Sequence, residues 1–413
     1  RRNLFYPCTG QIMSEMTQES LRKSALGEAV LLRYGELFLK SEPVKRQFIT
    51  ALLRNVGNAL DAAGLDYRFE VHRGRILVYG DHPGEIARVT SRVFGLVDVA
   101  VSIVTAPDPA AVTRAAVALA ATHLRAEGRF AIRARRQGVE GVNSQQLAAR
   151  VGEAVMQAVP GVVVDLESPD YEIFVELRQF GGLVYDTRVP APGGLPLGTQ
   201  GKVLALLSAG IDSPVAAWLM MKRGCAVEAL HVHTGRFAGR DTLETALRHL
   251  AALSRWCAGS PLRLHMIDAG DFYEAIVQDA EPRLRCVLCK RFMVKAASAM
   301  ALRDGYLAIC MGDSLGQVAS QTLVNLAVVS EASAVPILRP LVAFDKEETI
   351  ALAREIGTFE QAQGDLSCAA VPRRPATTSR LDILHAREGR LDVDTFIAGA
   401  IAHSRVFTVE NGD

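Results

Sequence analysis

Four near-continuous apolar runs, Val203–Leu207, Ala226–Val232, Leu262–Ile267 and Tyr306–Met311, alternate with segments of helical periodicity. This alternation constrains the fold more than any other feature of the chain. A strand hidden on both faces has no polar side to alternate, so such runs mark a parallel sheet with helices above and below it. Residues 202–380 are therefore expected to form a doubly wound α/β domain, and residues 381–413 a helical tail.

Upstream the pattern changes. Glu28–Leu39 reads as a strand, and Glu42–Ala63 as a helix with Phe48, Leu52, Leu53, Val56 and Leu60 at helical spacing. Tyr67–Val71 and Arg75–Tyr79 flank the Arg73-Gly74 turn; a helix over Pro83–Phe94 and a strand over Val97–Val104 follow. The βαββαβ order over residues 26–104 is the ferredoxin-like pattern. A second α+β unit, residues 105–190, opens with an alanine-rich helix from Pro109 and ends with two strands turned at Gly181-Gly182. Seven residues of Pro190–Gly201 are Pro or Gly, a composition that neither helix nor sheet accommodates, so 191–201 reads as a linker. Residues 1–25 are a polar leader, expected to be disordered.

The chain has 413 residues, room for two or three domains, since single cores stop growing near roughly 250 residues. No apolar run approaches the roughly 20 residues of a membrane span, and the leader lacks a signal-type apolar stretch. Seven cysteines, an odd number in a chain this long, do not make a disulfide framework. A cytoplasmic protein with no membrane partner is expected. The net charge of +1 makes no global case for nucleic acid, so such a partner must rest on local patches.

Directly after Val203–Leu207 comes Ser208-Ala209-Gly210-Ile211-Asp212-Ser213, and a helix follows from Pro214. A strand, a small-residue turn and a helix aim backbone N–H groups and the positive helix end at one point, which favours a phosphate there. Ser208 and Ser213 add hydroxyls, and Asp212 suits Mg²⁺ or the fixing of the loop. On geometry alone a tight turn that binds nothing is an equal reading. The residues resemble the SGGxDS signature of the PP-loop ATP pyrophosphatases, with Ala209 in place of the second glycine. If the backbone there needs positive φ, an alanine costs about 1 kcal/mol.

Cys286 and Cys289 place two thiols on one turn, and the following Lys290 and Arg291 are expected to lower their pKa values. Alone, the pair could be half of a zinc site, a redox pair or a coincidence. Cys368 lies in a polar, Pro-rich loop with little for a structural cysteine to pack against, and is the candidate third thiol. Three thiolates with one vacant iron suit a [4Fe-4S] cluster, whereas structural zinc takes a fourth protein ligand. His231, His233 and His265 fall on or at the ends of strands and read as core or surface residues.

Taken together, these segments resemble the tRNA 4-thiouridine synthetase (tRNA sulfurtransferase) family from about Val30 to Thr378. Arg33–Lys40 (RYGELFLK) resembles its N-terminal ferredoxin-like domain, and Val93–Leu96 (VFGL) the approach to its RNA-binding THUMP domain. Gly312–Thr322 (GDSLGQVASQT), Arg339–Leu341 (RPL) and Asp345–Glu347 (DKE) resemble its catalytic PP-loop domain. The resemblance implies ATP contacts at Leu206, Leu207, Ser208, Gly210, Asp212, Ser213, Lys290, Gly312 and Gln321. It implies catalytic roles for Asp212, Lys346 and Cys368, with Cys286, Cys289 and Cys368 holding iron and sulfur.

The implied reaction is attack of uracil O4 on the α phosphate of ATP, loss of pyrophosphate, and displacement of AMP from C4 by sulfur. Some members carry a rhodanese domain with a persulfide cysteine; this chain resembles the members without one, so cluster-bound sulfide is the expected immediate source. Upstream, sulfide or a cysteine desulfurase is the implied donor, and a homodimer and a supply of sulfur to thiamine are further implications. The implied RNA partner is tRNA, held by the acceptor arm with uridine 8 as target. Arg125, Arg129, Arg133, Arg135 and Arg136, with Glu127 as the only acid within that stretch, could hold its phosphates. Two rivals stand beside this: another PP-loop tRNA thiolase, and an RNA-binding protein with a degenerate nucleotide fold, which Ala209 would favour.

Overall fold

The computed structural model describes residues 27–35 and 41–410. The leader, Cys8 and residues 36–40 of the RYGELFLK string lie outside them. The described chain divides into two compact units, one of residues up to Arg33, Leu65–Ser91 and Asp98–Pro190, the other of Tyr34–Gly64, Arg92–Val97 and Ala191 onward.

The strands are β1 Gly27–Tyr34, β2 Arg68–His72, β3 Arg75–Tyr79, β4 Leu96–Thr105, β5 Arg129–Gln137, β6 Val163–Val164, β7 Tyr171–Arg178, β8 Gly181–Tyr185 and β9 Val189–Pro190. They make one nine-stranded sheet in the order β2-β3-β1-β4-β8-β7-β5-β6, with β9 beside β4. Helices α1 Glu42–Ala62, α2 Pro83–Thr90, α3 Pro109–His123 and α4 Ser144–Ala158 complete the ferredoxin-like and THUMP-like patterns. Helix α2 stops at Thr90 rather than Phe94, and α1 belongs to the second compact unit. Buried charges tie the strands of the first unit together: Glu176 of β7 accepts from Arg75 of β3 at 2.9 and 3.0 Å and from Arg178 at 2.7 Å. Burial alone would raise its pKa, but these guanidiniums hold it down to about 2.

The second unit is built on β10 Lys202–Leu206, β11 Ala226–His233, β12 Leu262–Asp268, β13 Ala308–Cys310, β14 Ile337–Leu338 and β15 Arg405–Val409. Their order is β14-β13-β10-β11-β12-β15, parallel except for β15, which runs antiparallel to β12. Both faces are buried, as the apolar runs require. Leu204, Leu230 and Ile267 join one core, whereas Val203, Ala205, Leu207 and Ala229 join the other. Its helices are α5 Asp212–Lys222, α6 Thr242–Ser254, α7 Gly270–Asp279, α8 Arg285–Asp304, α9 Leu323–Ser330, α10 Lys346–Glu355, α11 Leu381–Leu391 and α12 Val393–Ala402.

One sequence expectation changes here. The tail is not helix alone, because β15 closes the open edge of β12 through pairs such as Leu264↔Phe407. Residues 191–201 contain no helix or strand, and they are packed: Leu195 is buried and its N–H donates to the Lys222 carbonyl at 3.0 Å. Gly194 there has φ +73, and a Cβ would meet that carbonyl oxygen at 2.0 Å, so only glycine serves.

Candidate active site

The turn between β10 and α5 is organised by its own hydroxyls. Ser208 N–H donates to Ser213 Oγ at 2.9 Å, Gly210 N–H donates to Ser208 Oγ at 3.2 Å, and the two hydroxyls lie 3.0 Å apart. Two histidines hold the strand exit from behind: His231 Nδ1 donates to the Leu207 carbonyl at 2.9 Å and His249 Nδ1 to that of Ser208 at 3.3 Å. Burial keeps both rings neutral, lowering His231 and bringing His249 to about 4. Among the described residues, positive φ outside glycine occurs at Glu127, Ala258 and Asp392, so Ala209 carries no left-handed strain.

Gly312 sits against the start of α5, where a Cβ would lie 2.8 Å from the Asp212 carbonyl carbon and from Ser213 N. Beside it, buried Asp313 accepts from Lys290 Nζ at 2.7 Å, Arg339 Nε at 3.0 Å and Gln321 Nε2 at 3.2 Å. Burial alone would raise its pKa; Lys290 first among these donors brings it below the usual carboxylate range. At the opening of α5, Asp212 accepts from Lys346 Nζ at 2.8 Å and from Gln317 Nε2 at 3.3 Å. Lys346 is placed by a reciprocal cap of α10, in which Glu348 N–H donates to Asp345 at 2.8 Å and Asp345 N–H to Glu348 at 2.9 Å.

A cavity of about 380 Å³ opens beside this turn, within the size range of small-ligand pockets. Ser208, Ala209 and Gly210 line one side, and Cys286, Cys289, Lys290 and Cys368 line it too. Cys286 and Cys289 share one face of the first turn of α8, as i, i+3 residues must. Cys368 is brought in by a strand-like bridge to Ala238, supported by Gly239 N–H donating to the Ser367 carbonyl at 2.7 Å. Two buried polar atoms of cavity-lining residues have no protein partner, His231 Nε2 and Arg285 Nε, and two more, Gln321 Oε1 and Arg339 Nη2, belong to the donors around Asp313. Such orphans call for a ligand or water, and they suit a polar nucleotide.

The thiols themselves differ from expectation. Burial pushes Cys286 up, and Cys289 up to about 12, with the neighbouring thiols adding to the rise. The two adjacent cations do not reverse this. Lys290 is committed to Asp313, and Arg291 is buried, bonded to Glu388 at 2.6 and 2.9 Å and to Glu331 at 2.9 Å. The Tyr273 hydroxyl is hydrogen-bonded to Cys289 Sγ. Among the described residues no three His, Cys, Asp or Glu side chains gather closely enough for one metal ion, so the thiols border the cavity without forming a closed cage.

Residues 198–393 match the thiamine biosynthesis protein (ThiI) family, 29–100 the ThiI ferredoxin-like domain and 108–185 the THUMP domain. A probable tRNA sulfurtransferase of Methanosarcina mazei is 36% identical over 383 residues, 91% of this chain and 94% of its own. The chain belongs to the tRNA sulfurtransferase family. A second tRNA sulfurtransferase relative, from Methanothermobacter thermautotrophicus, is 38% identical over 378 residues, 90% of this chain and 95% of that one. The solved structure of a 4-thiouridine synthetase–RNA complex with bound ATP superposes with TM-score 0.81 at 28% identity, over 93% of this chain and 100% of that one. PH1313 from Pyrococcus horikoshii Ot3 shares the fold, with TM-score 0.63 at 24% identity over 80% of this chain and 100% of its own.

Within this tRNA sulfurtransferase fold, the residues named from sequence fall into two sets. Ser208, Gly210, Lys290, Cys286, Cys289 and Cys368 line the cavity. Leu206, Leu207, Asp212, Ser213, Gly312, Gln321 and Lys346 do not line it; several brace the loop or the Asp313 hub. Sequence reasoning missed Asp313, Arg339, His231, His249 and Tyr273 as members of the site. Asp313 and Arg339 stood inside the family-like strings, which was the available signal. The arginine patch is smaller than it looked, because Arg129 pairs with Asp170 at 2.9 Å and Arg133 with Glu172 at 2.6 Å. Arg135 has no carboxylate partner among the described residues and, with Arg33, Arg133, Arg188, Glu172 and Glu176, lines a cavity of about 540 Å³ beside the stacked Phe174 and Tyr185 rings.

Proposed function

We propose that this chain is a cytoplasmic, ATP-dependent tRNA uracil 4-sulfurtransferase that converts uridine 8 of tRNA to 4-thiouridine. The observation that carries the reading is that the loop Ser208–Gly210 and the thiols of Cys286, Cys289 and Cys368 line one cavity. Phosphate activation and sulfur delivery can then act on the same carbon without the substrate leaving.

Uracil O4 attacks the α phosphorus of ATP, the N3 proton is lost, and pyrophosphate departs. Sulfide then adds at C4, and AMP leaves carrying the former O4. The loop and the positive end of α5 orient the phosphates. Lys346 and Lys290 stabilise charge developing on the phosphoryl oxygens, the largest lever such a site has. Asp212 would hold Mg²⁺, since each of its oxygens keeps a lone pair beyond its one hydrogen bond.

The donor set suits an iron–sulfur group, because three thiols and, among the described residues, no fourth cysteine line the cavity. When bound by Cys286, Cys289 and Cys368, a [4Fe-4S] cluster would supply an open iron position for sulfide. The donor upstream is sulfide or a cysteine desulfurase, and the working form is a homodimer. In the first unit, Arg135 offers positive charge to RNA phosphates.

The rival of a degenerate, non-catalytic nucleotide fold loses its main support, since Ala209 is unstrained. Mass spectrometry of tRNA nucleosides after reaction with ATP, Mg²⁺ and sulfide tests the proposal. Appearance of 4-thiouridine at position 8, with pyrophosphate release that requires unmodified tRNA, is expected. ATP bound but never split would establish the binding-protein reading instead.

A further inference from the structure

Outside the thiol cavity, the second unit carries a groove of about 940 Å³ lined by Arg283, Arg285, Arg373, Arg374 and Glu281. Arg285 belongs to both spaces, lining the groove and the cavity that holds Cys286, Cys289 and Cys368. Its Nη2 donates to the Val277 carbonyl at 2.7 Å, while its Nε is buried with no partner. Glu281 is engaged by Arg283 at 3.3 Å, and among the described residues no carboxylate pairs with Arg285, Arg373 or Arg374. A guanidinium with an unmet buried donor and no counter-ion favours an anion nearby.

We infer that this groove holds the phosphodiesters flanking the target nucleotide while its base occupies the cavity. The inference rests on the sulfurtransferase reading and adds the surface that delivers the substrate. An enzyme that works on a base takes it out of its stack, so the strand on either side must pass the cavity mouth. The triphosphate has its own cradle at Ser208–Ser213, which leaves these arginines for a different anion. They are also preset. Pro372 and Pro375 stiffen the loop, Ala376 N–H donates to the Arg283 carbonyl at 2.9 Å, and Thr322 Oγ1 donates to the Thr377 carbonyl at 2.7 Å. Little loop ordering remains to oppose binding.

The test is binding of unmodified tRNA to the full chain across a salt series, comparing the unaltered protein with the double variant Arg373→Ala/Arg374→Ala. Losing two single-strand phosphate contacts should lower the slope of log affinity against log salt by about 1.4. Between 50 and 200 mM salt the unaltered protein then loses about sevenfold more affinity than the variant. ATP affinity should not change, and Arg373→Lys/Arg374→Lys should restore the slope. Arg285→Gln, at the junction of groove and cavity, should raise the KM for tRNA. An unaltered slope in the alanine variant, with the unaltered protein still making 4-thiouridine, overturns the groove assignment alone; loss of transfer from a persulfide-bearing protein in that variant would give the groove to that protein. If the unaltered protein fails to bind tRNA at all, the sulfurtransferase reading falls and the groove assignment with it.

Discussion

Gly312→Ala should disable nucleotide binding while leaving the fold standing. An added Cβ would lie 2.8 Å from the Asp212 carbonyl carbon, 2.8 Å from Ser213 N and 2.9 Å from Ser213 Cα. Ordinary contact begins at 3.4 Å, so the backbone must open by about 0.6 Å, and no rotamer change can relieve it. The atoms displaced start α5 and carry Ser213 Oγ, which anchors Ser208 N–H at 2.9 Å. Overpacking of this kind costs about 1–3 kcal/mol of stability. A displacement of this fraction of an ångström at a catalytic loop should lower kcat/KM on the order of tenfold to a hundredfold. Calorimetric ATP titration, tRNA-dependent pyrophosphate release and thermal melting read the three effects. Gly389→Ala is the control: it lies inside α11 in open space and should gain roughly 0.5–1 kcal/mol. A Gly312→Ala protein with unaltered ATP affinity and rate would refute the claim that this contact shapes the phosphate loop.

Three further outcomes follow from the same geometry. Folded His249 titrates at about 4 against 6.5 in the unfolded chain, so its contribution is complete above pH 6.5 and is lost as pH falls toward 4. The loss is at most about 3 kcal/mol, and melting curves of His249→Gln across that window should show a flatter pH dependence than the unaltered protein. Lys346→Ala should change stability by under about 1 kcal/mol, because the pair with Asp212 is partly exposed, yet lower kcat by roughly a hundredfold or more at unchanged ATP affinity. Anaerobically prepared protein should show a broad brown absorbance that disappears on changing Cys286, Cys289 or Cys368 to alanine; stoichiometric zinc in metal analysis would refute the cluster.

How much could be read in advance followed from how local each signal was. The parallel strands were legible because burial on both faces removes polar alternation, and the strand–turn–helix of the phosphate loop lies within twenty-odd residues of β10 and α5. Asp313 was opaque as a hub, since its donors Lys290 and Arg339 come from other elements and only the folded sheet gathers them. The thiol pKa directions were misjudged for a related reason: neighbours in sequence, Lys290 and Arg291, spend their charge on Asp313 and Glu388. Arg129 and Arg133 likewise meet acids about forty residues away. Strand β15 escaped because five residues, partly exposed, carry little periodicity until the edge of β12 gives them a partner.

The bond between Arg291 and Glu388 ties the thiol-bearing helix to a distant part of the chain. Helix α8 presents Cys286 and Cys289 from one end and buries Arg291 one turn further on, and that cation is satisfied by a carboxylate 97 residues later. Glu331 also accepts from Arg291, at 2.9 Å, so two carboxylates from different helix ends share one buried cation. The thiol-bearing start of α8 is thus coupled to the docking of α11, and a change at Glu388 should reach the cavity through Arg291.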